Sequence, residues 1–209
     1  MRILLADDHG IVRRGLKSLL ESQPGLSVIG EAADGLEALR LCSELSPDLL
    51  IIDISMPLMN GLEAGRQIKQ QNRNIKLIYV TMNEDPDIAA EAFRIGAAGY
   101  LLKRSAGAEL MLAIREVMNQ RYYVTPLLTK ELVGTLVSDS HARKPLYQLT
   151  SRQREVLQLL AEGRSMKQAA AVLHVSARTV AFHKYRMMQH LDVHSTAELI
   201  QFAVREGLV

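Results

Sequence analysis

Over the first 120 residues, short apolar runs ending on an acid, a hydroxyl or a lysine alternate with longer stretches whose apolar positions recur at helical spacing. Arg2–Ala6 reads as a strand running into Asp7 and Asp8. Gly10–Glu21 then places Val12, Leu16, Leu19 and Leu20 on one helical face. Pro24-Gly25 breaks that helix, Leu26–Ala32 is a second strand, and Asp34 opens a helix to Ser43. After Pro47, Asp48–Asp53 carries an unbroken Leu-Leu-Ile-Ile run that ends on an acid and meets a Pro57-containing loop closing with Asn60-Gly61. A continuous run this short, bounded by turn residues, predicts a strand buried on both faces, as in parallel sheets. Leu62–Gln70 is helical, Ile75–Thr81 a fourth strand, and Asp85–Ile95 a helix with Pro86 in its first turn. Gly96 and Gly99 lead into a fifth strand, Tyr100–Lys103, and Glu109–Gln120 is a fifth helix. Five strands alternating with five helices predict a doubly wound, five-stranded parallel α/β sheet over residues 1–120.

Beyond it the pattern changes. Residues 121–145 read as a linker: Pro126–Val137 forms one amphipathic helix, and Ser138–Pro145 is polar and without periodicity, a flexible tether. Residues 146–209 then read as four helices. The first opens at Leu149-Thr150-Ser151, carries Val156, Leu157, Leu159 and Leu160, and ends at Gly163. Met166–Leu173 is alanine-rich, His174-Val175-Ser176 makes a turn with Ser176 as the N-cap of Ala177–Leu191, and Ser195–Arg205 is the fourth. Two helices joined by a short turn, the first lined with small residues such as Ala169, Ala170 and Ala171, form the helix-turn-helix pattern.

Charge follows the same division. Of 25 Lys/Arg and 23 Asp/Glu, residues 1–120 hold 13 and 16, and residues 121–209 hold 12 and 7. An acidic front and a basic back suggest that the second module faces a polyanion, against the plainer alternative of a well-solvated surface. One cysteine, Cys42, excludes an intramolecular disulfide and fits a reducing cytoplasm. No apolar run approaches the roughly 20 residues that span a membrane, and the first residues do not form a signal peptide.

A parallel sheet delivers its strand ends to one edge, where ligands bind. That brings together Asp7, Asp8, Asp53, Thr81 and Lys103. Three carboxylates repel unless compensated, and a hard divalent ion such as Mg²⁺ compensates them while keeping waters that an incoming phosphate can displace. Lys103 and the Thr81 hydroxyl suit phosphoryl oxygens, leaving the central Asp53 as nucleophile in phosphoryl transfer. Singly, each residue has a plainer role: Asp53 as a helix cap, Thr81 for strand propensity, Lys103 as a solvated charge, Tyr100 as a core aromatic. In the second module, Val180, Met187 and Leu191 share one face of the third helix, with His183 and Lys184 at its margins. Arg178, Phe182, Tyr185 and Gln189 lie opposite, flanked by Ala181 and Arg186. Arginines interleaved with aromatics suit DNA, where an aromatic edge meets a thymine methyl; packing of Phe182 or Tyr185 on a neighbouring domain is the alternative. His183 reads as a partly buried, satisfied histidine.

Residues 1–120 resemble response-regulator receiver domains, through Asp7-Asp8, Asp53 to Gly61, Thr81 and Gly99 to Lys103. The resemblance implies a flavodoxin-like fold, Asp53 as phosphoacceptor, and Mg²⁺ held by Asp7, Asp8, Asp53 and the backbone carbonyl of Ser55. It also implies Thr81 and Tyr100 as switch residues, Thr81 moving toward the phosphoryl group and Tyr100 rotating inward. Arg104 departs from the family, which often has proline there. Residues 149–209 resemble the LuxR-type DNA-binding domain, through Leu149 to Arg152, Glu155 to Leu157, Ala161 to Gly163, Ser176 to Val180, His183 and Leu191 to Val193. Departures are Asp192 for glycine, Met166 for asparagine and Ala169 for a larger aliphatic. By resemblance the DNA-facing positions are Arg178, Thr179, Ala181, Phe182, Lys184, Tyr185 and Arg186, and the fourth helix dimerises.

Together these modules form the NarL/FixJ arrangement, which implies a two-component response regulator without enzymatic activity beyond its own phosphorylation and dephosphorylation. A sensor histidine kinase, double-stranded DNA, a second copy of the chain and RNA polymerase are the implied partners, and no membrane. The competing readings are a phosphorylation-independent regulator using the first module for dimerisation and a metal-dependent phosphatase. The latter lacks a second carboxylate near Asp53, since Ser55 is no general acid/base.

Overall fold

Strands buried on both faces decide the architecture. The structure, a computed structural model, describes residues 1–137 and 145–209. They form two compact units that divide within the stretch between.

The first unit runs β1 (Arg2–Ala6), α1 (Gly10–Glu21), β2 (Ser27–Ala32), α2 (Gly35–Leu45), β3 (Leu49–Ile52), α3 (Gly61–Gln71), β4 (Lys76–Thr81), α4 (Pro86–Ile95), β5 (Gly99–Leu102), α5 (Lys103–Met118), β6 (Tyr123–Val124) and α6 (Pro126–Val137). The strands are all parallel, in the order β2-β1-β3-β4-β5-β6. Every residue of β3 is buried, as an unbroken apolar run in the middle of a sheet requires. Leu49 and Ile51 join Ile3, Leu5, Ile78 and Val80 in a core closed by Leu16 and Leu20 of α1 and Leu110 and Ile114 of α5. Alternation turns Leu50 and Ile52 to the other face, which carries α2, α3 and α4. Each such burial is worth on the order of 1.5–3 kcal/mol. The strand order reverses between β1 and β3, so the crevice at their carboxyl ends is the binding position of this architecture.

Most limits shift by one or two residues, and the larger departures from expectation lie after β4. The sheet has six strands, not five: Gly99 pairs with Tyr123 and Tyr100 with Val124. Two residues carry no readable hydrophobic period, so β6 exists only through its backbone bonds to β5. Helix α5 starts at Lys103, well before Glu109, because Lys103 to Ala108 contains no large apolar residue to reveal a helical face. Lys103 therefore opens α5 and does not close β5. Within the stretch 121–145, α6 has its expected bounds and packs on α4, burying Leu128 and Leu132.

The second unit holds a one-turn helix not anticipated from sequence, α7 (Pro145–Gln148), then α8 (Ser151–Ala161), α9 (Met166–Val172), α10 (Ala177–His190) and α11 (Thr196–Arg205). Pro145 thus begins a helix; the rest of the expected tether, Ser138 to Lys144, lies outside the described residues. Thr150, Ser165, Ser176 and Ser195 cap the four longer helices, each accepting a backbone N–H with its side chain. No helix among the described residues is long and apolar enough to cross a membrane.

Candidate functional site

The loop from β3 to α3 is held by glycines. A Cβ on Gly61 would lie 1.9 Å from the carbonyl oxygen of Asp53, and one on Gly35 would lie 2.2 Å from that of Met59. Both backbones approach this closely because they have no side chain. The Gly61 N–H donates to the Ile54 carbonyl at 2.8 Å, and the Met59 N–H to Pro57 at 2.7 Å around Leu58, whose φ is +65°. Asn60, not Asp53, caps α3, accepting the Glu63 N–H at 2.8 Å. The capping alternative for Asp53 therefore falls away, and its carboxylate is left free for the crevice.

Asp7 and Asp53 are each 3% exposed. Lys103 Nζ lies 2.8 Å from Oδ2 of both. Asp53 Oδ1 accepts the Ile54 N–H at 2.7 Å, and Asp7 Oδ1 accepts the His9 N–H at 2.8 Å. Asp7, Asp8, His9 and Asp53 present ligand atoms that all lie within 4.8 Å of one another. Burial pushes the Asp53 carboxyl above the usual range and the charge of Asp7 adds to this, while Lys103 and the Ile54 N–H pull it back. Burial works against the Lys103 charge too, but its bonds to Asp53 and Asp7 outweigh it and its pKa rises. One ammonium against three carboxylates leaves the crevice short of positive charge. Asp7 Oδ2 is buried with Lys103 as its counter-charge at 2.8 Å. Clustered hard oxygen donors with a single ammonium among them fit a divalent metal of the Mg²⁺ type.

Thr81 and Tyr100 are fully buried. Thr81 Oγ1 accepts the Asn83 N–H at 3.2 Å, and the Tyr100 hydroxyl donates to the Asn83 carbonyl at 2.9 Å. The side chain of Tyr100 thus lies in the interior, tied by its hydroxyl to the loop before α4. The Asn83 carbonyl makes this position stable by satisfying the buried hydroxyl. Ser55 is exposed two residues after Asp53. Arg104, where the family often has proline, meets Glu84 of the loop before α4 at 2.7 Å. Sequence reasoning missed three participants. His9 reaches Asp8 Oδ1 with Nδ1 at 2.7 Å, Arg13 donates to the Asp7 carbonyl, and the Asn83 backbone joins Thr81 and Tyr100. The adjacency of His9 to the acidic pair was a usable signal; the other two exist only in three dimensions.

In the second unit α10 buries Val180 and Met187 and leaves Arg178, Phe182, Tyr185 and Arg186 exposed, the two aromatics by 60% and 59%. Ala181 is half-buried beside them. The Thr179 hydroxyl is engaged with Ser176 Oγ at 2.9 Å, inside the cap. Lys184 is half-buried, its Nζ 3.3 Å from Thr196 Oγ1 of α11 and 4.8 Å above the Tyr185 ring. His183 is half-buried against Phe182, and burial followed by the charge of Arg152 lowers its pKa.

Comparison with known proteins finds a match for each unit. Residues 3–115 match the response regulator receiver domain, and residues 147–203 match the bacterial regulatory proteins of the luxR family. The chain is 32% identical to the response regulator UvrY of Escherichia coli K12 over 208 residues, covering all of this chain and 95% of that one. It is 37% identical to the oxygen regulatory protein NreC of Staphylococcus haemolyticus over 215 residues, covering all of this chain and 99% of that one. Among solved structures, RcsB of Salmonella enterica serovar Typhimurium, bound to promoter rprA in the presence of the phosphomimetic BeF₃⁻, superposes with a TM-score of 0.62 at 27% identity over 97% of each chain. With a receiver sheet, a LuxR-type helix-turn-helix unit and relatives that match along its whole length, the chain belongs to the NarL/FixJ family of two-component response regulators, DNA-binding proteins that regulate transcription.

Proposed function

We propose that a sensor histidine kinase phosphorylates Asp53 and that this controls sequence-specific binding of α10 to double-stranded DNA. The carrying observation is the buried Asp53 carboxylate at the sheet's switch point, 2.8 Å from Lys103 and clustered with Asp7 and Asp8. Residues 1–120 are the phosphoacceptor module, 121–145 the connection and 146–209 the DNA-binding module. Asp7, Asp8, Asp53 and the Ser55 carbonyl hold Mg²⁺, which when bound supplies positive charge to the phosphoryl oxygens. An Asp53 oxygen attacks the kinase's phosphohistidine; the P–O bond forms as the P–N bond breaks, and the histidine takes up a proton. Lys103 then pairs with a phosphoryl oxygen, and the Thr81 hydroxyl turns from the Asn83 N–H to donate to another. Released at its N–H, Asn83 shifts the carbonyl that holds Tyr100, so the loop before α4 changes population between two arrangements.

On the DNA, Arg178 and Arg186 contact phosphate or guanine while Ala181, Phe182 and Tyr185 make apolar contacts; Thr179 and Lys184 lie at the margin. Activation favours a homodimer, with RNA polymerase as a candidate further partner and the cytoplasm as the compartment. Loss of the phosphoryl group by attack of water on the phosphoaspartate is the only turnover assigned to the chain. The test is DNA binding by the full chain across genomic fragments, with and without Mg²⁺ and beryllofluoride, at stated salt. Activated wild type binds about ten-fold more tightly and Asp53→Ala does not respond. Equal binding in every condition would leave the DNA interface standing and remove the phosphorylation switch.

A further inference from the structure

The two-residue strand β6 is fastened more heavily than its length requires. The Tyr123 N–H donates to the Ala98 carbonyl at 2.9 Å, and the Thr125 N–H to the Tyr100 carbonyl at 3.0 Å. Thr125, just past the strand, is fully buried. Its Oγ1 accepts the Leu102 N–H at 3.2 Å and donates to Glu109 Oε2 of α5 at 2.8 Å. The Tyr123 hydroxyl donates to the same oxygen at 3.1 Å. Burial and the charge of Glu109 push the Tyr123 phenol up to about 12, so it stays a donor throughout the neutral range. The Thr125 carbonyl accepts the Leu128 N–H at 3.0 Å, which starts α6 directly from this point.

Helix α6 thus has two attachments to the first unit. One is the Thr125 junction on β5, bonded to the backbone of Tyr100 itself. The other is α4, against which Leu128 and Leu132 are buried. The loop before α4 contains Asn83, the backbone node of Thr81 and Tyr100. Both supports of α6 therefore begin at elements next to the switch residues, and α6 leads by chain connection toward the DNA-binding unit.

We propose that Glu109, Thr125 and Tyr123 form a clasp that fixes the start of α6 to β5, making them positioning residues through which a change at Tyr100 and Asn83 reaches the segment entering the DNA-binding unit. This rests on the phosphorylation reading of Asp53. A threonine hydroxyl is what the junction needs, since it accepts from Leu102 and donates to Glu109 at once; valine has its shape and neither bond. With the hydroxyl gone, β5 and α4 move beneath a helix whose first turn no longer follows.

The test compares full-length wild type with Thr125→Val, Thr125→Ser and Glu109→Ala, each with and without Mg²⁺ and beryllofluoride. Hydrogen exchange is followed over residues 123–137, DNA affinity is measured, and thermal unfolding reports uptake of the mimic. In wild type the mimic alters exchange along α6 and raises affinity about ten-fold. In Thr125→Val and Glu109→Ala the mimic still raises the unfolding temperature, but the α6 response disappears and the affinity gain falls to about two-fold or less. Thr125→Ser restores both. An unchanged α6 response in Thr125→Val and Glu109→Ala overturns the clasp, as does a wild type whose α6 exchange ignores the mimic. A wild type whose α6 responds while DNA affinity stays flat removes the phosphorylation control of DNA binding, and loss of that α6 response in Thr125→Val still upholds the clasp. Should Thr125→Val fail to fold, Glu109→Ala against Glu109→Gln decides on the same exchange readout.

Discussion

At Gly61 the chain passes so close beneath Asp53 that a single added methyl would sit 1.9 Å from a carbonyl oxygen. The Gly61→Ala variant must push that carbonyl, and with it Asp53, out of position, at a cost of about 1–3 kcal/mol. Thermal unfolding with and without Mg²⁺ should show a lower midpoint and a smaller gain from the metal; a variant that keeps the full Mg²⁺ gain would refute the role. The glycine is recognisable in the sequence as a turn residue, but what it approaches is not, because the neighbour lies eight residues back, just past β3. Asp192 is the converse: it stands where the family often has glycine, and its φ of +51° explains why that position favours one. Phe182 makes a sharper prediction. If its exposed ring meets thymine methyls, replacing the thymines of a bound half-site by uracil weakens wild-type binding about four-fold per contacted methyl. Phe182→Ala should show no further loss on uracil DNA, and an equal loss in both proteins would place the ring elsewhere.

Among the elements, α10 has a beginning that could be read in advance from its cap. Ser176 accepts the Thr179 N–H at 3.0 Å and shares a hydroxyl contact with Thr179. Replacing it with alanine removes the cap, and Ser176→Ala should lose about 1 kcal/mol of stability by denaturant titration of the second unit. DNA affinity falls with it as the first turn of the helix frays; full stability with full affinity would contradict the assignment. Capping residues, apolar runs and helical periods are local signals, which is why β1, β3, α1, α6 and α10 match their expected limits closely. Helix α5 begins ahead of its periodic stretch because Lys103 to Ala108 offers small and polar residues alone. It is Ala106, buried against the sheet, that commits this first turn. β6 has no local signal at all and depends on β5 for its existence.

On the scale of the whole molecule, the first unit extends past the point where its composition changes. Helix α6 covers α4 with Leu128 and Leu132, and Thr125 closes the edge of the sheet. A fragment of residues 1–137 should therefore unfold at a higher temperature than one of residues 1–120, by several degrees for about 1–3 kcal/mol of lost burial. Equal midpoints would mean that β6 and α6 add nothing to the receiver.

The sequence by itself determined the two modules, the parallel sheet, and the Asp7, Asp8, Asp53, Thr81 and Lys103 set at its edge. These follow from periodicity and from the geometric fact that parallel strands deliver their ends to one side. Tertiary structure decided the rest. The Asn83 backbone links Thr81 to Tyr100, Lys103 bridges Asp7 and Asp53, and Glu109 binds Thr125 and Tyr123 from 14 to 16 residues away. Each depends on backbone atoms or on partners that the fold alone brings within bonding distance, and a backbone carbonyl looks the same at every position of a sequence.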